Sequence, residues 1–173
     1  MSDNTKPTNP KDSFGSAKAG ITRVPSTVMT EVGLAMDEGG AKYRGYNYRA
    51  AGVRASIYVD AVWRHLFQQW WDMGEDNDPD SGLSHVTKAI ASLVVLRDSM
   101  VRGNWTDDRP PRHLPAYMNE LNQKKKDLLV KYPEPKENFT QKEMELESIM
   151  NEIARIKIDQ LNTKSQIELL RKT

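Results

Sequence analysis

Two stretches of opposite charge hold most of the side chains that could do chemistry. Residues Lys42 to Arg54 contain Lys42, Arg44, Arg49 and Arg54 and no acid, with Tyr43, Tyr46 and Tyr48 between them. Ammonium and guanidinium groups bind phosphate oxygens through charge-assisted hydrogen bonds, and tyrosine rings stack on a base or hydrogen-bond a sugar. The same composition suits a solvated basic loop whose tyrosines pack on the core. The second stretch is its opposite: Asp72, Glu75, Asp76, Asp78 and Asp80 put five acids in nine residues with no base among them. Such a cluster repels itself and calls for compensation. A hard divalent cation, Mg2+ or Mn2+, can provide it through carboxylate oxygens. Glu75 and Asp78 have the E-x-x-D spacing, which aims two carboxylates at one ion if the backbone turns helically there. A solvated acidic loop, with Asp80 capping the next helix, is the commoner outcome of this composition.

The histidines add weight to the metal reading. There are three: His65, His85 and His113. His65 falls on the apolar face of a predicted helix before the acidic stretch, and His85 in the first turn of the helix after it. If those helices form a hairpin, both imidazoles approach the loop that joins them, where neutral imidazole serves as ligand or base. His113 lies between prolines in a connector and carries no such signal. A phosphate held by metal on one side and by Lys or Arg on the other is the chemistry these residues suggest. No G-x-x-x-x-G-K-[ST], G-x-G-x-x-G or G-x-S-x-G pattern occurs, which argues against a kinase or an α/β hydrolase.

The elements that must position these residues read as helices. Residues 1–24, rich in Pro, Gly and polar side chains, read as an extended arm. Val28, Met29, Val32, Ala35 and Met36 recur at helical spacing after Pro25, and Gly39-Gly40 is expected to stop that helix. A Gly- and Tyr-rich loop to Gly52 should follow. The second helix is expected over Arg54 to Met73, with Tyr58, Ala61, Val62, Leu66 and Gln69 sharing a face with His65, and Asp60 paired to Arg64. The third starts near Gly82, buries Leu83, Val86, Ala89, Ile90, Leu93, Val94 and Leu96, and ends at Arg102-Gly103-Asn104. No stretch alternates with period two, so the class is all-α. Beyond a proline-rich connector, residues 115–173 read as a helical extension, with a helix to about Val130 and a second that opens on a Thr140/Glu143 capping box. That last helix carries a single stripe, including Ile149, Ile153, Ile156, Leu161, Ile167 and Leu170. A stripe of this length packs on its own subunit or on a second copy.

Composition bounds the rest. Lys plus Arg is 25 against 24 for Asp plus Glu, a balance that argues against a nucleic-acid partner. With no cysteine, disulfides and thiolate sites are excluded. No apolar run is long enough to span a membrane and no signal peptide is visible, so a cytoplasmic protein is expected.

The order and wording of several short segments resemble a known family. These are Asn9-Pro10-Lys11-Asp12-Ser13 with Gly15 and Lys18, Val24-Pro25, Gly40-Ala41-Lys42-Tyr43, Asn47-Tyr48-Arg49, Arg64-His65-Leu66, Gly74-Glu75, Asp78-Pro79 and Ser81-Gly82-Leu83-Ser84-His85. Over about Asn9 to Pro110 the chain resembles the phage dATP/dGTP diphosphohydrolase family, grouped with the MazG-like all-α nucleotide pyrophosphohydrolases. The resemblance implies a helical bundle, with residues 25–114 as the catalytic domain. It implies metal-dependent cleavage of a purine deoxynucleoside triphosphate to the monophosphate and pyrophosphate, and a homo-oligomer in the host cytoplasm if the chain is phage-encoded. Phage members that hydrolyse dGTP can supply dGMP to 2-aminoadenine nucleotide synthesis. On this reading Glu75, Asp78, His65 and His85 are catalytic residues and hold Mg2+ or Mn2+. Lys18, Lys42 and Arg64 neutralise the triphosphate, and Tyr43 and Asn47 contact the nucleoside. The wider group pairs an E-x-x-E helix with an E-x-x-D helix; the E-x-x-E partner is absent from this sequence, and Tyr48 stands where the family has tryptophan. Two other readings are a histidine/aspartate phosphohydrolase that releases inorganic triphosphate, against which the lack of an adjacent His-Asp pair weighs, and a non-enzymatic helical adaptor.

Overall fold

The computed structural model describes residues 9–170, so the first eight residues of the expected arm and the last three of the extension lie outside the described residues. The chain divides into two units, Met1–Pro111 and Arg112–Thr173. The all-α class holds: α1 (Pro10–Gly15), α2 (Ser26–Tyr43), α3 (Asn47–Ala51), α4 (Ala55–Val62), α5 (His85–Val101), α6 (Pro115–Lys131) and α7 (Gln141–Leu170) carry most of the chain. Helix α1 is a short element in the segment read as extended; the Asn9 side chain caps it by accepting from Lys11 N–H, and Pro10 suits its first turn. Two two-residue strands also form, β1 (Val53–Arg54) and β2 (Trp105–Thr106), paired in parallel with Val53 opposite Trp105. Strands that short leave no period-two trace in the sequence.

Helix α2 runs through Gly39-Gly40, where a stop was expected. Each glycine weakens a helix by about 1 kcal/mol. Here Lys42 reaches back one turn to Glu38 at 2.6 Å, and Val32 and Ala35 are buried against Ala91 of α5. The helix ends instead at Arg44, whose φ of 74° begins a turn that Tyr46 (φ 57°) completes. The expected loop to Gly52 is therefore mostly helix, α2 and then α3.

Helix α4 continues without a break into a π-helical segment, Trp63–Asp72. Its hydrogen bonds skip one residue more than those of an α-helix, as in Met73 N–H to the Gln68 carbonyl at 3.0 Å. Together they fill the expected second helix. Helix α5 is the central element, packed against α2, α4 and the π segment. It starts at His85, three residues later than expected, and is buried at His85, Thr87, Ala89, Ala91, Val95 and Ser99. Leu93 and Val94, expected inside, are exposed. Small residues allow neighbouring helices to approach closely, so the buried face follows Ala and Ser rather than the largest apolar side chains. A second core cluster joins Tyr48, Val53 and Val95 to Met36, Tyr58, Leu96 and Trp105. Gly52 connects α3 to β1 at φ 79° and ψ 177°, a region essentially reserved for glycine.

In the second unit, Thr140 N–H donates to Glu143 Oε2 at 2.7 Å and Glu143 N–H to Thr140 Oγ1 at 3.3 Å, the expected capping box at the start of α7. Ile149, Ile153, Ile156, Leu161 and Ile167 are exposed along it.

Candidate active site

Five parts of the first unit meet around one cavity of about 380 Å3, within the range of small-molecule sites. Helix α2 supplies Glu38, Lys42 and Tyr43; α3 supplies Asn47 and Tyr48; α4 and the π segment supply Tyr58, Ala61 and His65; the loop before α5 supplies Asp78; and α5 supplies Lys88, Ala91, Ser92 and Val95. Tyr58, Ala61 and His65 share the face read from the sequence.

The acidic stretch is a closed turn. Asp78 N–H donates to the Leu83 carbonyl at 2.9 Å, Gly82 N–H to the Asp78 carbonyl at 2.7 Å, and His85 N–H to the Asp76 carbonyl at 3.0 Å. Asp78 Oδ1 accepts from Asp80 N–H at 2.8 Å, which fixes the carboxylate. No helical turn joins Glu75 to Asp78; an isolated antiparallel bridge links Asn77 to Ser84.

This turn and the hairpin of π segment and α5 bring His65, Asp78 and His85 together, with one ligand atom from each lying within 4.8 Å of the others. His85 is fully buried. His65 Nδ1 and His85 Nδ1 are 2.9 Å apart, so either one donates to the other or both lone pairs face one ion. Burial pushes the His65 imidazole below its usual range, and the neighbouring His85 and Lys88 act in the same direction. His85 Nε2 is buried without a hydrogen-bond partner, and Glu75 Oε2, 3.6 Å away, is too far to provide one. Two imidazole nitrogens, one carboxylate and an unsatisfied buried nitrogen fit a divalent transition ion. Glu75 is half exposed and stands outside the triad.

Lysines compensate the acids as well. Lys42 Nζ bonds Glu38 at 2.6 Å and Asp80 at 2.7 Å, while Lys88 Nζ bonds Glu38 at 3.0 Å and pairs closely with Asp78. Burial pushes the Glu38 carboxyl up, but the hydrogen bonds from Lys42 and Lys88 outweigh it and hold Glu38 below the usual carboxylate range. The Lys88 hydrogen bond likewise holds Asp78 low. The hydrogen bonds that Lys42 donates to Asp80 and then to Glu38 raise it above the ordinary lysine value.

Two further residues of the basic stretch are tied into the fold. Arg49 makes a two-pronged pair with Asp98, both bonds 2.9 Å, and Tyr48 is buried in the core. Lys18 and Arg64 do not line the cavity, and among the described residues no ion pair joins Asp60 to Arg64. Sequence reasoning missed Glu38 and Lys88. Glu38 was hidden by the expected helix stop, although its spacing to Lys42 is that of a helical ion pair. Lys88 lies three residues after His85, hence on the same face of α5.

An all-α unit whose cavity is lined by an imidazole, two carboxylates, two lysines and tyrosines, with a second imidazole buried beside it, has the parts of a helical hydrolase of phosphorylated ligands. Residues 8–109, more than half of the 173-residue chain, match the family described as dATP/dGTP diphosphohydrolase, N-terminal, and the chain belongs to that family. No curated protein and no solved structure matches it.

Proposed function

We propose that this cavity hydrolyses purine deoxynucleoside triphosphates, dGTP and dATP, to the monophosphate and pyrophosphate, with a divalent ion held by His65, Asp78 and His85. The observation that carries this is the convergence of those three side chains, two of which, His65 and Asp78, line one cavity with Lys42, in a chain of this family. Bound there, the ion supplies polarisation of the α-phosphate and a water acidic enough to act as nucleophile near neutral pH. Of Mg2+ and Mn2+, two imidazole ligands favour Mn2+, because Mg2+ is held chiefly by carboxylates and water.

The chain's own residues do the rest. His65 and His85 offer ring-nitrogen lone pairs, and Glu75 stands 3.6 Å from His85 Nε2, outside the triad. Lys42 neutralises the triphosphate from the opposite wall, and Lys18 and Arg64 are assigned to its outer oxygens. Tyr43 and Asn47 meet the nucleoside. In a phage, the dGMP released would feed 2-aminoadenine nucleotide synthesis. The protein acts in the cytoplasm on this reading; no helix among the described residues is long and apolar enough to cross a membrane.

The test is a panel of deoxy- and ribonucleoside triphosphates with Mn2+ or Mg2+, its products resolved by chromatography. Pyrophosphate with dGMP or dAMP is expected, and excess chelator should abolish it. Release of inorganic triphosphate would move the chain to the other class of phosphohydrolase, and full activity in chelator would remove the ion from the reaction.

A further inference from the structure

Glu38 and Asp78 are the only carboxylates that line the cavity among the described residues, and one ammonium holds both. Lys88 Nζ lies 3.1 Å from Glu38 Oε1 and 3.0 Å from Glu38 Oε2, and it pairs closely with Asp78 Oδ2. Its side chain is 11% exposed, against 19% for Glu38 and 14% for Asp78. A lysine ammonium has three protons and no acceptor, so this set of contacts uses its bonding capacity. Asp78 is at the same time the carboxylate of the His65–Asp78–His85 triad. One of its faces therefore meets a fixed cation, whatever the other face holds.

This arrangement bears on how many ions the site takes. Two-ion hydrolytic sites set their metals about 3.5–4 Å apart and need carboxylates to hold both. Here Glu38 and Asp78 are the groups that could hold a second ion near the triad, and Lys88 already joins them. Resting on the metal reading given above, we propose that Lys88 is the built-in second cation of this pocket: it occupies the place between Glu38 and Asp78 that a second divalent ion would need, so the chain takes up one ion rather than two. A lysine in that place keeps one positive charge beside the phosphate-binding wall and survives chelation. It cannot acidify a water as a metal does. It is therefore a positioning and charge-compensating residue, acting through Glu38 and Asp78.

The experiment counts Mn2+ on the full chain by calorimetry and by the electron paramagnetic resonance of the bound ion. Wild-type protein and Lys88→Arg, which keeps the charge, should each bind one Mn2+ with the spectrum of an isolated ion. Lys88→Gln removes the ammonium that joins the two carboxylates and should bind two, with the spectrum of a coupled pair and a larger Mn2+-induced rise in melting temperature. Two ions on the wild-type chain, or one on folded Lys88→Gln, overturn the role of Lys88 and leave the triad standing. Wild-type protein that takes up no Mn2+ overturns the metal reading and this proposal with it. A second measurement needs no variant: reductive methylation of lysines, read by peptide mass spectrometry. Lys88 should stay protected with and without saturating Mn2+, and methylation of Lys88 that rises with Mn2+ would show that metal displaces it, which overturns the proposal.

Discussion

Asp78→Asn separates the chemistry of this pocket from its architecture, because the two effects have different sizes. The substitution keeps an oxygen where Asp78 Oδ1 accepts from Asp80 N–H at 2.8 Å, so the turn survives. It removes the charge that pairs with Lys88, but Lys88 keeps Glu38 at 3.0 Å. The structural loss is thus one charge-assisted hydrogen bond, about 1.5–3 kcal/mol, rather than the 3–5 kcal/mol or so of a buried charge left with no partner. A domain of ordinary stability, about 5 kcal/mol at the low end, keeps about 2 kcal/mol and stays roughly 97% folded. Turnover should fall much further. Groups that merely support metal ligands change affinity or activity by about 10- to 100-fold when removed, and a ligand itself belongs at or above the upper end. A loss of about 100-fold corresponds to about 2.7 kcal/mol in the barrier. The assay is Mn2+-dependent dGTP turnover on the purified variant, with circular dichroism melting alongside. Glu75→Gln is the control: half exposed and 3.6 Å from His85 Nε2, Glu75 should matter about tenfold or less. Turnover of Asp78→Asn within threefold of wild type at saturating Mn2+, or a larger loss from Glu75→Gln than from Asp78→Asn, would refute the triad.

Lys42→Ala should raise the Michaelis constant for dGTP about tenfold by removing a charge-assisted phosphate contact, and Arg64→Ala, outside the cavity lining, should raise it less; equal or absent effects in steady-state kinetics would contradict this. Gly52→Ala should cost about 1–3 kcal/mol in urea unfolding, since a side chain at this φ and ψ is strained and its Cβ would lie 2.6 Å from Asn104 Oδ1; a loss under about 0.5 kcal/mol, within the range of ordinary surface substitutions, would rule out the strain. Light scattering on the full chain should find a dimer or tetramer, and truncation after Pro135 should weaken it if the exposed apolar stripe of α7 makes the contact; a full-length monomer rejects the association.

How far the sequence disclosed this fold depended on whether each element's reason was local. The Thr140–Glu143 capping box is local, and it forms. The alternation that would mark a sheet was missing, and the strands among the described residues are two residues long. The helix stop at Gly39-Gly40 was misplaced because glycine acts locally and weakly, whereas α2 is held from outside by Ala91 and by Lys88, which binds Glu38. That error had a chemical consequence: it cut the helix between Glu38 and Lys42 and hid a carboxylate that faces the cavity. The π segment left no mark either, since nothing in its residue types separates one hydrogen-bond spacing from the other.

The site was legible where its residues are sequence neighbours across a hairpin, and obscure where charge is balanced across the fold. His65 and His85 flank one loop, so folding the two helices together brings their Nδ1 atoms to 2.9 Å. The five acids were harder to read. Taken alone, their mutual repulsion points to a metal, yet Asp80 is neutralised by Lys42, 38 residues away, and Asp78 by Lys88, 10 residues away. A run of like charge therefore does not state how many ions it holds, because the lysines that will reach it are not in the run. What remains after those pairings is a pair of imidazoles 2.9 Å apart beside Asp78, with the buried His85 Nε2 reached by no hydrogen-bond partner. The histidines, rather than the abundance of acids, are thus the physical reason to expect an ion in this pocket.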